Sequence, residues 1–386
     1  MSFRSHISKT IILVLLLATY SGKADATTHN SRKSIGDSAF GANIRPSYVM
    51  PTHGFYNGWN ESGKPVRTGS TFDLQYSFAY NDSPVLQGIG LGLHTFFAQD
   101  ILGTPATLYI FQNVPLVNIG EKITFGYEWN LGISSGWKIN NVTTSSRTNV
   151  FINVAALFTW RAGKHWDLIF GPEYTHFSNG DTSFPNAGAN TINLRVGARR
   201  HFSSAGNLSH VDIFSYNCKE LNLSERICYD ISIIGGWRAD RDIEGTKLHI
   251  INERFLTAGL QFNPLYSFNS HLSAGPSLDL LYDRSADLSI TTDKNKKTVY
   301  TRPDFMSQTA AGLSLRGEIK MPVFAVNIGI GYNFTYDSKD LEGLYYAFAL
   351  KAFLNDHIFL NMTYRLGSVN YAHNLMFGLG FRLAGN

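Results

Sequence analysis

A histidine two residues before a serine on an extended strand puts an imidazole and a hydroxyl on one face, because strand side chains alternate with a period of two. A neutral imidazole held there can take the hydroxyl proton as the oxygen attacks an ester carbonyl. The spacing alone selects nothing. His-x-Ser occurs five times, at His6, His29, His176, His201 and His271, and such a histidine is ordinarily a hydrogen-bonded surface or interior group. Phase separates the five. Ahead of His176 the apolar face holds Trp166, Leu168, Phe170, Pro172 and Tyr174, and His176 and Ser178 continue it. His201/Ser203 and His271/Ser273 fall on the polar phase of their segments. His6 lies in the leader and His29 just after it. A polar pair that prolongs an apolar stripe costs desolvation energy, so it calls for a function.

A third residue shares that side. From Asn190 the next apolar face runs Ile192, Leu194, Val196, Ala198, and a hairpin would pair this segment with the one ending at Ser178. The connection contains Pro185 and Gly188, both turn formers. Asn190 can then hold the imidazole from its far side, as an amide does in Cys-His-Asn hydrolases. The expected geometry is an imidazole near the Ser178 hydroxyl with Asn190 at its other nitrogen. Glu173 has the opposite phase and Asp181 sits in the turn. Asp279, Asp283 and Asp287 recur at four-residue steps that do not converge on a strand, and the histidines are scattered, so no metal site is expected. No glycine-rich phosphate loop follows a strand and opens a helix. No cofactor is expected either.

The elements that must carry these residues read in twos. In Lys122 to Ile133 the odd positions are Ile123, Phe125, Tyr127, Trp129, Leu131 and Ile133, and the even ones are polar or small. That is a strand pattern. It recurs over Thr71–Tyr80, Gly88–Phe97, Thr148–Trp160, His165–Ser178, Asn190–Phe202, Arg226–Arg238, His271–Tyr282, Thr309–Ile319, Phe324–Phe334, Leu344–Leu354, Ile358–Tyr364 and Leu375–Leu383. Segments of about ten residues suit tilted membrane strands. Aromatic residues near the stripe ends and Gly, Asn, Thr, Asp or Arg on the other face favour a membrane barrel over a soluble sandwich. The predicted fold is therefore an all-β transmembrane antiparallel barrel of about 14–16 strands over residues 40–386. The alternatives are two smaller barrels, broken near residues 203–210, or an eight-stranded barrel with a second β module.

Composition agrees. The chain of 386 residues is 44% hydrophobic and 16% charged, below the roughly 25% charged residues of soluble proteins. The leader reads as a secretory signal over residues 1–26: basic Arg4 and Lys9, an apolar run Ile11 to Ala18, and the small-x-small site Ala24-Asp25-Ala26. Residues 27–39 are expected to be a flexible N-terminus. The leader holds three of the 33 basic and one of the 29 acidic residues, leaving 30 and 28. Such a balance gives no reason to expect a nucleic-acid partner. Cys218 and Cys228 either close one loop in an oxidising compartment or remain thiols. The terminal Phe381-Arg-Leu-Ala-Gly-Asn386 lacks the final aromatic common in bacterial barrels.

At these residues a resemblance emerges. His176-Phe-Ser-Asn-Gly180 followed by Pro185-Asn-x-Gly188-x-Asn190 resembles the signature of the lipid A 3-O-deacylase (PagL-type) outer-membrane family, and more closely its longer Bacteroidetes-type members described as acyloxyacyl hydrolases. Tyr127-Glu-Trp-Asn-Leu-Gly132, Gly136-Trp-Lys138 and Leu278-Asp-Leu-Leu-Tyr-Asp283 support it. The resemblance implies a serine esterase of the bacterial outer membrane that removes an acyl chain from the lipid A of lipopolysaccharide. Ser178 would match the nucleophile, His176 the general base, and Asn179 with the Gly180 N–H the oxyanion hole. The short deacylases carry a glutamate where this chain has Asn190. Partners are then lipopolysaccharide and outer-membrane lipid, with a homodimer one assembly open to it. The competing reading is a non-enzymatic pore or transporter barrel.

Overall fold

The computed structural model describes residues 35–80, 84–140, 142–202, 226–244, 247–269, 271–292, 298–301, 303–321, 323–367 and 373–384. Residues 1–26, where a signal peptide is expected, most of the segment 27–39 and Cys218 lie outside them. Cys228 is buried on the second half's first strand.

Two walls form, each closing on itself. The first is β1 (Ile35–Val49), β2 (Thr68–Tyr80), β3 (Leu86–Thr95), β4 (Gly103–Ile119), β5 (Ile123–Trp137), β6 (Thr148–Arg161), β7 (Trp166–Ser178) and β8 (Ala189–His201). The second comprises β9 (Ile227–Glu244), β10 (Lys247–Ser267), β11 (Leu272–Asp283), β14 (Thr309–Lys320), β15 (Phe324–Tyr336), β16 (Gly343–Phe353), β17 (Ile358–Leu366) and β18 (His373–Ala384). A small hairpin, β12 (Ser289–Thr292) and β13 (Thr298–Thr301), stands apart. The only α-helix among the described residues is the single turn α1 (Gln99–Leu102). All barrel pairings are antiparallel, with β8 closing on β1 (Arg200 opposite Phe40) and β18 closing on β9 (Leu379 opposite Ile233).

Sixteen wall strands therefore exist, but as two eight-stranded barrels instead of one continuous wall. The reason is pairing, which alternation does not encode: β8 returns to β1 before β9 begins. The N-terminal boundary also moves. Strand β1 starts at Ile35, inside the segment expected to be loose, because its first residues pair along β2 down to Tyr80.

Both interiors are filled. In the first barrel the Arg195 guanidinium meets Glu128 at 2.7 Å and Glu173 at 3.1 Å, and Arg45 pairs with Asp73. Above them Phe96, Phe111, Trp137, Phe151, Phe177 and Tyr56 make an apolar plug. In the second barrel Lys351 contacts Asp230 at 2.6 Å and Glu318 at 2.5 Å, and Arg382 grips Asp230 through two bonds of 2.7 Å. Buried charges on a barrel's inner face survive only when paired this way. The outer faces are largely apolar, with Ile44, Phe72, Leu91, Ile192, Ile233 and Leu315 among the exposed side chains, as a hydrocarbon-facing band requires.

Connections differ sharply between the two ends. At one end of the first barrel they are residues 81–85, 120–122 and 162–165, while at the other they are residues 50–67, 96–102, 138–147 and 179–188. Short turns mark the periplasmic side of such barrels and longer loops the extracellular side. The β7–β8 hairpin loop belongs to the long-loop end.

Candidate functional site

The β7–β8 ladder places His176 directly opposite Asn190 and Phe177 opposite Ala189. Phe177 turns inward and is buried, whereas Tyr174 and Ile192 are exposed on the outer wall. His176, Ser178 and Asn190 follow the outward phase and are half-buried at the rim. They share the phase of the exposed Tyr174 and Ile192.

The imidazole is held by a defined partner. His176 Nδ1 lies 2.7 Å from Asn190 Oδ1. An amide oxygen only accepts, so Nδ1 carries the hydrogen and the Nε2 lone pair remains open. The amide is itself fixed. Its Oδ1 also accepts from the Tyr174 hydroxyl at 2.6 Å, its Nδ2 donates to Thr52 Oγ1 at 3.3 Å, and its backbone carbonyl accepts from Met50 N–H at 2.9 Å. Tyr174 shared the stripe two residues before His176 and was within reach of pattern reading. Thr52 and Met50 come from the β1–β2 loop, too far away in sequence to be found.

Ser178 Oγ has no hydrogen-bond partner among the described residues. The half of the expected geometry that joins Asn190 to the imidazole is present, whereas no bond links the hydroxyl to the ring. Between the two lies Gly188, in a left-handed conformation with φ of 63°. A methyl group there would stand 2.5 Å from Phe177 O, 3.5 Å from His176 Cε1 and 3.6 Å from Ser178 Cβ. Only glycine passes so close to the β7 backbone.

Asn179 is the residue to which the resemblance assigns the oxyanion hole. It follows the inward phase and is buried. Its Nδ2 donates to Ser183 O at 2.8 Å and to Ser145 Oγ at 3.1 Å, and its backbone N–H donates to Asn186 Oδ1 at 3.1 Å. Its donors are thus spent on bracing the loop. The Gly180 N–H, by contrast, has no partner among the described residues. The β5–β6 loop completes the brace through Ser145 Oγ to Ser183 Oγ at 2.6 Å and Ala187 N–H to Thr143 O at 3.1 Å. From β1–β2 the Tyr56 hydroxyl donates to Gly188 O at 2.5 Å. Burial pushes that hydroxyl well above the usual tyrosine range, so it stays a donor.

No group of three or more His, Cys, Asp or Glu side chains is arranged to hold a metal among the described residues. The remaining His-x-Ser histidines that are described do other work. His201 is buried between Asp37 and Asp167 at 2.5 and 2.8 Å, and His271 sits at the short turn after β10.

The fold is that of a membrane β-barrel protein, two closed antiparallel walls with apolar outer faces, and the first carries the His176–Asn190 pair on its outward phase. The family comparisons agree: residues 36–199 match lipid A 3-O-deacylase (PagL), and residues 227–385 match the acyloxyacyl hydrolase C-terminal domain. The chain belongs to this family of outer-membrane hydrolases that act on lipid A. No curated protein matches it. Among solved structures, Neisserial surface protein A shares 11% identity over 42% of this chain and 96% of its own, with a TM-score of 0.30. The Acinetobacter baumannii outer membrane protein Omp33 shares 8% over 90% and 99%, with a TM-score of 0.19.

Proposed function

We propose that the protein is a serine esterase that removes an ester-linked acyl chain from lipid A, working from the outer, lipid-facing wall of its first barrel. The observation that carries this reading is the 2.7 Å contact from His176 Nδ1 to Asn190 Oδ1, because it leaves Nε2 as a base on the same face as Ser178. Family membership supplies the substrate class.

In this mechanism Ser178 Oγ attacks the ester carbonyl as its proton passes to His176 Nε2. Asn190 keeps the ring oriented, and the unpartnered Gly180 N–H faces the developing oxyanion. The tetrahedral adduct collapses with the C–O bond to the sugar breaking, and the sugar oxygen takes the proton from Nε2. Water then attacks the acyl-enzyme with Nε2 as base, the fatty acid leaves, and Ser178 recovers its proton. Lateral diffusion brings an amphiphile already dissolved in the bilayer to this border, so no open channel is needed.

Purified protein incubated with lipid A, with products weighed by mass spectrometry, tests the assignment. Ser178→Ala and His176→Ala should each lower the rate by about 10⁴-fold or more, as loss of such groups does in related triads, with the barrel still folded. Retained deacylation in both variants would falsify these roles.

A further inference from the structure

We infer that the second barrel positions the oxyanion end of this site, acting through the Leu375 side chain and the Ala239 backbone. The inference rests on the proposed reading of Ser178, His176 and Gly180.

The outer faces of β9 and β18 are open wall, with Trp237 61% and Phe377 55% exposed. One outward step further toward the long-loop end the exposure collapses: Ala239 is 6% and Leu375 9% exposed. What lies over them is the β7–β8 loop of the first barrel. A methyl group at Gly180 would come 2.8 Å from Leu375 Cδ2 and 3.1 Å from its Cβ. The Ala239 N–H donates to the Asp181 carbonyl at 2.8 Å.

Strand pairing explains why that donor is available. The β9–β18 ladder ends with Phe377 opposite Gly235, while β9 runs on to Glu244. Above the last pair, β9 has no ladder partner on that side among the described residues, and such an edge offers unpaired N–H groups. The loop of the other barrel takes one of them.

The receiving backbone needs outside support. Gly180 and Asp181 are consecutive left-handed residues, with φ of 64° and 61°, a conformation uncommon for a non-glycine residue such as aspartate. Leu375 packs on the first and Ala239 holds the carbonyl of the second. Together they fix the direction of the Gly180 N–H, which lies immediately after Asn179. Neither residue touches substrate, so both are positioning residues.

The full-length protein is assayed on lipid A, with folding checked by heat-modifiable electrophoretic mobility. Leu375→Ala should lower kcat about tenfold with KM within about twofold, since a displaced donor costs transition-state stabilisation and not ground-state binding. Leu375→Met should restore most of it, and Ala239→Pro, which deletes the N–H, should lower kcat as well. A folded Leu375→Ala with wild-type kcat overturns the inference whether or not the proline variant folds. A raised KM at unchanged kcat overturns it too, by assigning the contact to binding. Ser178→Ala run alongside separates the two failures: if it stays active, the reading of the site falls and takes this inference with it.

Discussion

Asn190 supplies geometry to the imidazole but no charge. In the proposed chemistry His176 becomes an imidazolium as Ser178 attacks, and a carboxylate in the amide's place would stabilise that cation. Asn190→Asp is nearly isosteric, so its oxygen can keep the 2.7 Å contact. It should raise kcat. An adjacent anion favours the protonated ring, so the same variant should move the acid limb of the kcat/KM profile to higher pH. A pH–rate profile with unmoved limb and rate would mean that Asn190 does not face the ring during turnover. Tyr174 acts one bond further out. Its hydroxyl donates to the same amide oxygen, and removing one hydrogen bond of about 1 kcal/mol in Tyr174→Phe should cost about fivefold in kcat, leaving KM in place. Much of this was legible because residues two apart on a strand share a face. Alternation did not give the gap between the Ser178 hydroxyl and the ring, while the odd position of Asn179 already gave it the inward phase of Phe177.

The hairpin loop is an element that cannot hold its own shape. Residues 179–188 borrow donors and acceptors from three other segments: Ser145 and Thr143 from β5–β6, Tyr56 from β1–β2, and Ala239 from β9. Tyr56→Phe strands the Gly188 carbonyl next to Gly188's close pass over β7. A buried acceptor left unsatisfied costs about 1–3 kcal/mol. The eight-stranded ladder does not depend on that bond, so the variant should lose activity at a lower temperature while its β circular-dichroism signal persists. Coincident loss of both signals would mean that Tyr56 holds the barrel and not the loop. Period-two reading located thirteen of the barrel strands and missed β1, β4 and β10. In β4 the inward Tyr109 and Phe111 line the apolar plug while Leu108 and Ile110 face outward, so both faces are greasy and alternation vanishes. Strand β10 is interrupted by a bulge between Ile251 and Arg254, which resets its phase.

At the scale of the molecule the pattern left one wide wall and two narrow ones open, since they alternate alike, and the observed division falls between His201 and Ile227, where the alternative of two smaller barrels puts the break, near residues 203–210. The difference bears on the pore reading. A sixteen-stranded wall would enclose a wide lumen, whereas an eight-stranded barrel is just wide enough for side chains to fill it. Both are filled here, by Arg45, Arg195, Glu128 and Glu173 in one and by Lys351, Arg382, Asp230 and Glu318 in the other. The barrels also touch directly, Trp129 meeting Phe324 edge-on with centroids 5.1 Å apart. A protein built this way should pass no ions: planar bilayers containing it should record no conductance steps, and steps under conditions where the barrels remain folded would revive the pore reading. The filling itself carries stability. Lys351→Met removes one of two cations from between Asp230 and Glu318, and breaking such a buried network costs about 3–5 kcal/mol. The loss should appear as a lower denaturant midpoint for the second barrel. It should leave the His176–Asn190 contact of the first barrel intact until the second unfolds, and activity should then fall with that transition because the β7–β8 loop loses Leu375 and Ala239. Activity that outlasts the second barrel's unfolding would show that the first barrel works alone.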